Sequence, residues 1–213
     1  VDHGLRENSA EEAQKVANWL SIYGVEHKTL LWTGEKPLSG VQALARDARY
    51  NLMVAWCRKN NFTVLMTAHH LEDQIETFLM RAERGSGLDG LASMNSIVAL
   101  KDVMLIRPLL RVSRSKLRMF LSEREQTWIE DPSNNNLAFQ RTRTRQLVGK
   151  LEERGLSPVQ TLKLIDHFTV LRQQFSKLVN LFLERAVRIM PEKYGVVHLE
   201  VLKYLPDPVL ERV

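Results

Sequence analysis

With 213 residues, 44% of them hydrophobic and 26% charged, the chain has the make-up of one large or two small globular domains, not of a disordered, collagenous or fibrous protein. No apolar run approaches the ~18 residues that a membrane-spanning helix requires, which excludes a helical span. Thirty basic against 25 acidic side chains leave a net charge of +5, and a single cysteine, Cys57, rules out an internal disulfide or a cysteine-built metal centre and makes the cytoplasm the default compartment.

Val1-Asp2-His3-Gly4 reads as the end of a buried strand and its turn, with the body of that strand outside the sequence. Ser9 and Glu12 fit a capping box, Ala13, Val16, Ala17 and Leu20 share one face, and Gly24 supplies a stop, so a helix is predicted between them. Val25 to Trp32 reads as a strand. After a loop from Thr33 to Gly40, the stretch from Val41 to about Lys59 predicts an amphipathic helix with Leu44, Ala48, Leu52 and Ala55 inward. Arg46 and Arg49 then fall away from that stripe, open to a phosphate, a base or water. Phe62 to Ala68 is a short continuous apolar run, the pattern of a strand buried on both faces of a parallel sheet.

His69 and His70 sit where that strand exits. A helix is predicted from about Leu71 to Ala82, then a glycine-bearing loop, then a strand near Val103 to Ile106. Strands alternating with helices imply an α/β fold with a doubly wound, mainly parallel sheet. Ligands of such sheets bind beyond the carboxyl ends of the strands, which gathers Asp2, His3, His69, His70 and Arg107 at one rim. From Ser113 the pattern turns helical: about Arg114 to Glu125, about Phe139 to Glu153, and Pro158 to Ile189 with Leu162, Ile165, Phe168, Leu171, Phe175, Leu178 and Phe182 in helical spacing. Val196 to Val201 reads as a short strand, and Pro206-Asp207-Pro208 as the start of another helix. The expected division is a catalytic-type α/β domain over residues 1–150 and a helical region over 151–213.

Several segments carry chemistry. Asp2-His3-Gly4-Leu5-Arg6 puts an acid, an imidazole and a guanidinium in one turn, where glycine lets the backbone approach a ligand. In His69-His70-Leu71-Glu72-Asp73-Gln74-Ile75-Glu76, a helix starting near His69 would put His69 and Asp73 on one face, and Asp73 and Glu76 together. Carboxylates so placed suit Mg²⁺ held with nucleotide phosphates; they equally complement a helix N-terminus. The H-E-x-x-H spacing of zinc hydrolases is lacking. Arg81 and Arg84 precede a loop with Gly85, Gly87 and Gly90, without the G-K-[ST] ending of a Walker A loop. From Arg107 to Arg118 run five basic side chains and no acid, and Arg141, Arg143, Arg145 and Lys150 follow Trp128-Ile129-Glu130-Asp131-Pro132-Ser133-Asn134. Such stripes suit a phosphate backbone, and equally a solvated helix face.

In order and rough spacing, VDHGLR, AR..RY, AHHLEDQIET, R..RGSGLDGL..M, RPLL and W.EDPSN resemble the bacterial tRNA(Ile)-lysidine synthases, a family of N-type ATP pyrophosphatases, over about residues 1 to 150. The resemblance implies ATP and Mg²⁺ as cofactors, and L-lysine and a tRNA(Ile) with a CAU anticodon as partners, with a homodimer left open and no membrane. It implies that ATP activates C2–O of the wobble cytidine and that lysine displaces AMP. Position by position, it puts Asp2, His3 and Arg49 in the nucleotide pocket. Asp73, with His69 and Arg141, serves the activated cytidine, Asp73 being also the candidate Mg²⁺ ligand. Arg46, Arg81, Arg84, Arg111, Arg114, Arg143 and Arg145 are the arginines expected on tRNA.

Two departures stand out. The family's SGGxDS loop lies upstream of VDHGLR and is not among these residues, so the chain as given is expected not to adenylate. Thr142 and Thr144 in RTRTR replace the asparagine and aliphatic residue of the usual pattern. A tRNA cytidine 2-thiolase relative is disfavoured by the lone Cys57, and a non-catalytic tRNA-binding piece is the reading from a different class.

Overall fold

A computed structural model describes the chain except residues 35, 37, 38, 131–139, 199, 201, 202, 204–208 and 210–213, and gives the backbone alone for residues 140 and 141. The helix predicted at Pro206-Asp207-Pro208 lies outside the described residues. The described elements, in chain order, are α1 (Ser9–Ile22), α2 (Val41–Lys59), β1 (Val64–Met66), α3 (Leu71–Glu83), α4 (Leu88–Leu91), β2 (Ile97–Leu100), β3 (Val103–Ile106), α5 (Arg114–Ser122), α6 (Gln140–Glu153), α7 (Pro158–Ala186), β4 (Val187–Ile189) and β5 (Gly195–Val197). They fall into two compact units, Val1–His70 with Asn95–Pro132, and Leu71–Met94 with Ser133–Val213.

The first unit is the α/β one. Its sheet runs β1-β3-β2, with β1 parallel to β3 and β2 antiparallel to it. Val103 and Leu105 of β3 are buried almost completely, as expected of the middle strand. β1 departs from the expectation of burial on both faces. Val64 and Met66, two apart and therefore on one face, are 43% and 65% exposed. The reason is that, among the described residues, β1 is an edge strand with β3 as its hydrogen-bonded neighbour. The strand predicted over Val25 to Trp32 reduces to a single parallel bridge, Asp2 with Leu31.

Two helices of this unit differ in detail from their sequence reading. At α1 the N-cap is Asn8, without a side-chain bond, in place of a Ser9 capping box. Ser9 Oγ instead donates to the Arg6 carbonyl, and the Glu12 carboxylate is taken up by Arg6 at 2.7 Å, so it does not reach back to the helix start. On α2 the fully buried residues are Ala45 and Cys57, with Leu44 exposed. The inward face is thus turned by one residue, and Arg49, four residues after Ala45, lies half-buried on it instead of in water. Trp56 stacks on Phe62 at 5.3 Å, tying the end of α2 to the chain entering β1. β2 has no counterpart in the sequence pattern, and α5 stops at Ser122, short of Glu125.

The second unit is mainly helical. α3 buries Leu71, Asp73, Gln74, Ile75, Glu76 and Phe78, a band wide enough to meet several neighbours at once. Phe78 meets Phe168 of α7 at 6.1 Å, and Ile75 and Ile165 are almost completely enclosed. Full burial of such side chains contributes about 1.5–3 kcal/mol each. The glycine-bearing loop folds into α4, and the helix predicted through Ile189 ends at Ala186, where β4 begins and pairs antiparallel with β5. At its start α7 carries a complete capping box: Ser157 Oγ accepts from the Gln160 backbone N–H, and Gln160 Oε1 accepts from the Ser157 N–H at 2.8 Å. Val179, Phe175 and Phe182 pack with Val209 in a smaller core.

Candidate nucleotide-binding rim

The site begins with a turn. The Asp2 N–H donates to the Leu30 carbonyl at 2.8 Å, and the Trp32 N–H donates to the Asp2 carbonyl at 2.9 Å, which fixes the chain in an extended stretch. Gly4 then takes a φ of 59°, a region glycine enters without a Cβ clash, and its N–H donates to Asp2 Oδ1 at 2.9 Å. That bond holds the Asp2 carboxyl below the usual carboxylate range. Asp2 is therefore spoken for by its own turn, and what the turn presents is His3.

His3 meets the Trp32 ring edge-on at 5.8 Å, and its Nδ1 is buried without a hydrogen-bond partner. Lys36 Nζ lies 4.1 Å from the Trp32 ring centre and donates to the Trp32 carbonyl. Burial first, and then the Arg49 guanidinium, push the His3 imidazole below its ordinary pKa, with Lys36 adding to the effect and Asp2 opposing it. Arg46 and Arg49 both stand over the Tyr50 ring, at 5.2 and 5.6 Å, and the Tyr50 hydroxyl is buried without a partner. A neutral imidazole and a phenol, each with a buried unpaired atom, and two cations near the imidazole are groups that an anionic, hydrogen-bonding ligand would satisfy.

A second cluster of the same unit lies where β1 and β3 end. Met66 pairs with Ile106, and the Thr67 N–H donates to the Ile106 carbonyl at 2.9 Å. The two strands therefore leave the sheet side by side, and Thr67, His69 and Arg107 emerge together at their carboxyl ends. Thr67 Oγ1 and His69 Nδ1 are 2.9 Å apart, a hydrogen bond that orients the imidazole. Arg107 is buried, donates from Nη1 to the Asn95 carbonyl at 2.7 Å, and keeps a buried Nε without a partner. Helix α2, which carries Arg49 and Tyr50, packs on both β1 and β3.

The remaining candidates are placed as follows. α3 begins at Leu71, so the helical i, i+4 relation expected between His69 and Asp73 does not exist: His69 precedes the helix. Asp73 and Glu76 do share the buried face of α3. Glu76 receives Arg145 Nε at 2.6 Å, and Arg81 Nη1 donates to the Gly90 and Ser93 carbonyls at 3.0 Å each, so both arginines serve the helical unit. Arg46, Arg84, Arg111 and Arg143 are exposed, and the Arg141 side chain lies outside the described residues. Thr142 and Thr144 are buried on α6, which accounts for small, compact side chains at those positions. Trp32 and Lys36 escaped the sequence reading as site residues, and Tyr50 entered it only as the last letter of AR..RY; the available signal was that Trp32 ends the segment aligned with Asp2. Among the described residues, no three His, Cys, Asp or Glu side chains stand close enough to hold a metal. No described helix is long and apolar enough to cross a membrane.

A wound α/β unit whose polar side chains collect where its parallel strands end belongs to the class of domains that seat a ligand at that rim. The chain belongs to the PP-loop domain family, whose model matches residues 1–152. It is 44% identical over 149 residues to a tRNA(Ile)-lysidine synthase of Wolbachia sp. subsp. Brugia malayi (strain TRS), covering 70% of this chain and 35% of that relative. It is 45% identical over 152 residues to another of the same name from Zymomonas mobilis, covering 70% and 46%. The chain thus spans less than half the length of these curated relatives. Among solved structures, the U34-tRNA thiolase NcsA from Methanococcus maripaludis, with its [4Fe-4S] cluster, superposes with a TM-score of 0.66 at 16% identity, over 80% of this chain and 59% of that one, a likeness of fold.

Proposed function

We propose that this chain is part of a cytoplasmic tRNA(Ile)-lysidine synthase, which joins L-lysine to C2 of the wobble cytidine of a CAU anticodon at the expense of ATP. The observation that carries the reading is the buried, unpaired His3 Nδ1 beside Arg49 and Lys36, in a domain whose relatives bear that name. In the reaction, the C2 oxygen attacks the α-phosphorus of ATP and pyrophosphate leaves. The lysine ε-amine then attacks C2, AMP departs with that oxygen, and the amine gives up a proton. Both steps pass through more negative charge than the reactants hold in one place, so fixed cations and oriented donors lower the barrier.

Each residue has a task that its surroundings permit. His3, neutral near pH 7, offers a ring nitrogen to the nucleotide, and Arg49 and Lys36 offset phosphate charge. His69, oriented by Thr67, serves the cytidine, and Arg141 takes that role on the family resemblance alone. Asp73 assists the activated base. Mg²⁺ bound with nucleotides is held by one or two protein oxygens and otherwise by phosphate and water, and a carboxylate such as Asp73 can supply one. Asp73 would be that ligand, and bound Mg²⁺ would neutralise triphosphate charge. Arg46, Arg84, Arg111, Arg114 and Arg143 supply phosphate contacts to tRNA.

The test is to incubate the protein, as its gene encodes it, with tRNA(Ile) CAU, ATP, Mg²⁺ and L-lysine, and to weigh the tRNA. A gain equal to lysine minus water supports the reading. A tRNA of unchanged mass contradicts it.

A further inference from the structure

Trp128 and Glu130 take no part in the rim described above, yet they form a built cluster with α5 in the same unit. Glu130 gathers three donors. Trp128 Nε1 donates to Oε1 at 2.8 Å, Arg114 Nη2 donates to Oε2 at 3.4 Å, and Arg118 Nη2 donates to Oε1. Arg114 and Arg118 are four apart on α5, so one helix face delivers both guanidinium groups to the same carboxylate. The Arg118 guanidinium carbon lies 5.5 Å from the Trp128 ring centre. Trp128 nevertheless stays 39% exposed.

Three consequences follow from chemistry. The only polar atom of the indole is satisfied by Glu130, so what Trp128 shows to solvent is aromatic surface held in a fixed orientation. Arg114 and Arg118 bring their guanidinium groups to the edge of that surface. Around it, residues Arg107 to Glu130 hold six basic and three acidic side chains, +3 of the chain's +5. An aromatic plane bordered by guanidinium groups is what an unpaired nucleotide needs, a face for its base and donors for its phosphate. A duplex offers no open base face, and an acidic peptide has no use for the plane. The position agrees: α5 starts eight residues after β3 reaches the rim at Ile106, and runs on for about 13 Å.

We propose that Trp128, held by Glu130 and flanked by Arg114 and Arg118, is a stacking platform for an unpaired base in the anticodon loop of the tRNA. The inference rests on the tRNA reading above, and the test separates the two. Affinity is measured for the anticodon stem-loop of tRNA(Ile) CAU and for a fully paired duplex of the same stem, over a range of salt.

Trp128→Ala should weaken stem-loop binding about ten-fold, with the salt slope and duplex affinity unchanged, and Trp128→Phe should keep most of the affinity. Arg118→Ala should lower the salt slope by about one. Circular dichroism melts matching wild type show that each variant folds. If wild type binds the stem-loop and folded Trp128→Ala binds it equally well, the platform is overturned, the result expected of a patch that serves an acidic protein. If wild type binds neither RNA, the tRNA reading fails and takes the platform with it.

Discussion

His3 is the residue on which the rim turns. Because burial and Arg49 hold its folded pKa below the ordinary 6.5, the unfolded chain takes up the proton first as pH falls. Its contribution to stability is therefore complete above pH 6.5 and drains away as pH drops toward the lowered folded value. Melting temperatures taken between about pH 7.5 and about pH 5.5 should fall more for wild type than for His3→Gln. An equal fall in the two would remove His3 as the titrating group. Bound ATP brings negative charge and should raise the His3 pKa, read from its ring resonances by NMR; an unmoved resonance places the phosphates elsewhere. Asp73 is tested by chemistry instead. Asp73→Ala should abolish lysidine formation and leave tRNA affinity nearly unchanged, whereas wild-type turnover in that variant excludes Asp73 from the reaction.

At the scale of elements, the helical unit depends on contacts that join α3 to its neighbours. Glu76 is 1% exposed and paired with Arg145, so Arg145→Ala removes that cation from a buried carboxylate. A loss of about 3 kcal/mol is expected, the low end for a broken buried pair because Arg145 keeps partial access to water. Chemical denaturation measures it, and adding Glu76→Gln should return part of the loss. Gly90 poses a steric limit: a Cβ there would lie 2.4 Å from Ser86 Cβ. Gly90→Ala should cost about 1–3 kcal/mol, and Ser86→Gly in the same chain should relieve it.

These elements also show what a sequence makes legible. α2 and β3 were readable because one has helical periodicity over many turns and the other is a short apolar run bounded by polar residues. β2 was not, since Ile97 to Leu100 is as brief as many loop segments and its pairing with β3 is what makes it a strand. Of the S-x-x-E/Q signatures that begin at the starts of α1 and α7, at Ser9 and Ser157, only the second is used, because Arg6 occupies Glu12. The cluster on Glu130 joins residues 12 and 16 apart, a distance at which no local pattern operates.

For the whole molecule, the modest net charge understates the local fields. Acids and bases nearly balance along the chain, yet the stretch that leaves the rim through α5 is distinctly basic, and His3 stands among cations. Binding to tRNA should accordingly weaken as salt rises, since each neutralised phosphate releases a counterion. Under the proposed reading the cation-lined His3 turn takes the nucleotide and the basic surface takes the RNA, in a PP-loop domain similar to relatives named tRNA(Ile)-lysidine synthase. The most direct measurement is the mass of tRNA(Ile) CAU after incubation with the protein, ATP, Mg²⁺ and L-lysine, with nuclease mapping of the altered nucleotide. The expected result is one lysine gained and one water lost at the wobble cytidine, dependent on ATP; an unaltered wobble cytidine, or sulfur in place of its oxygen, would contradict it.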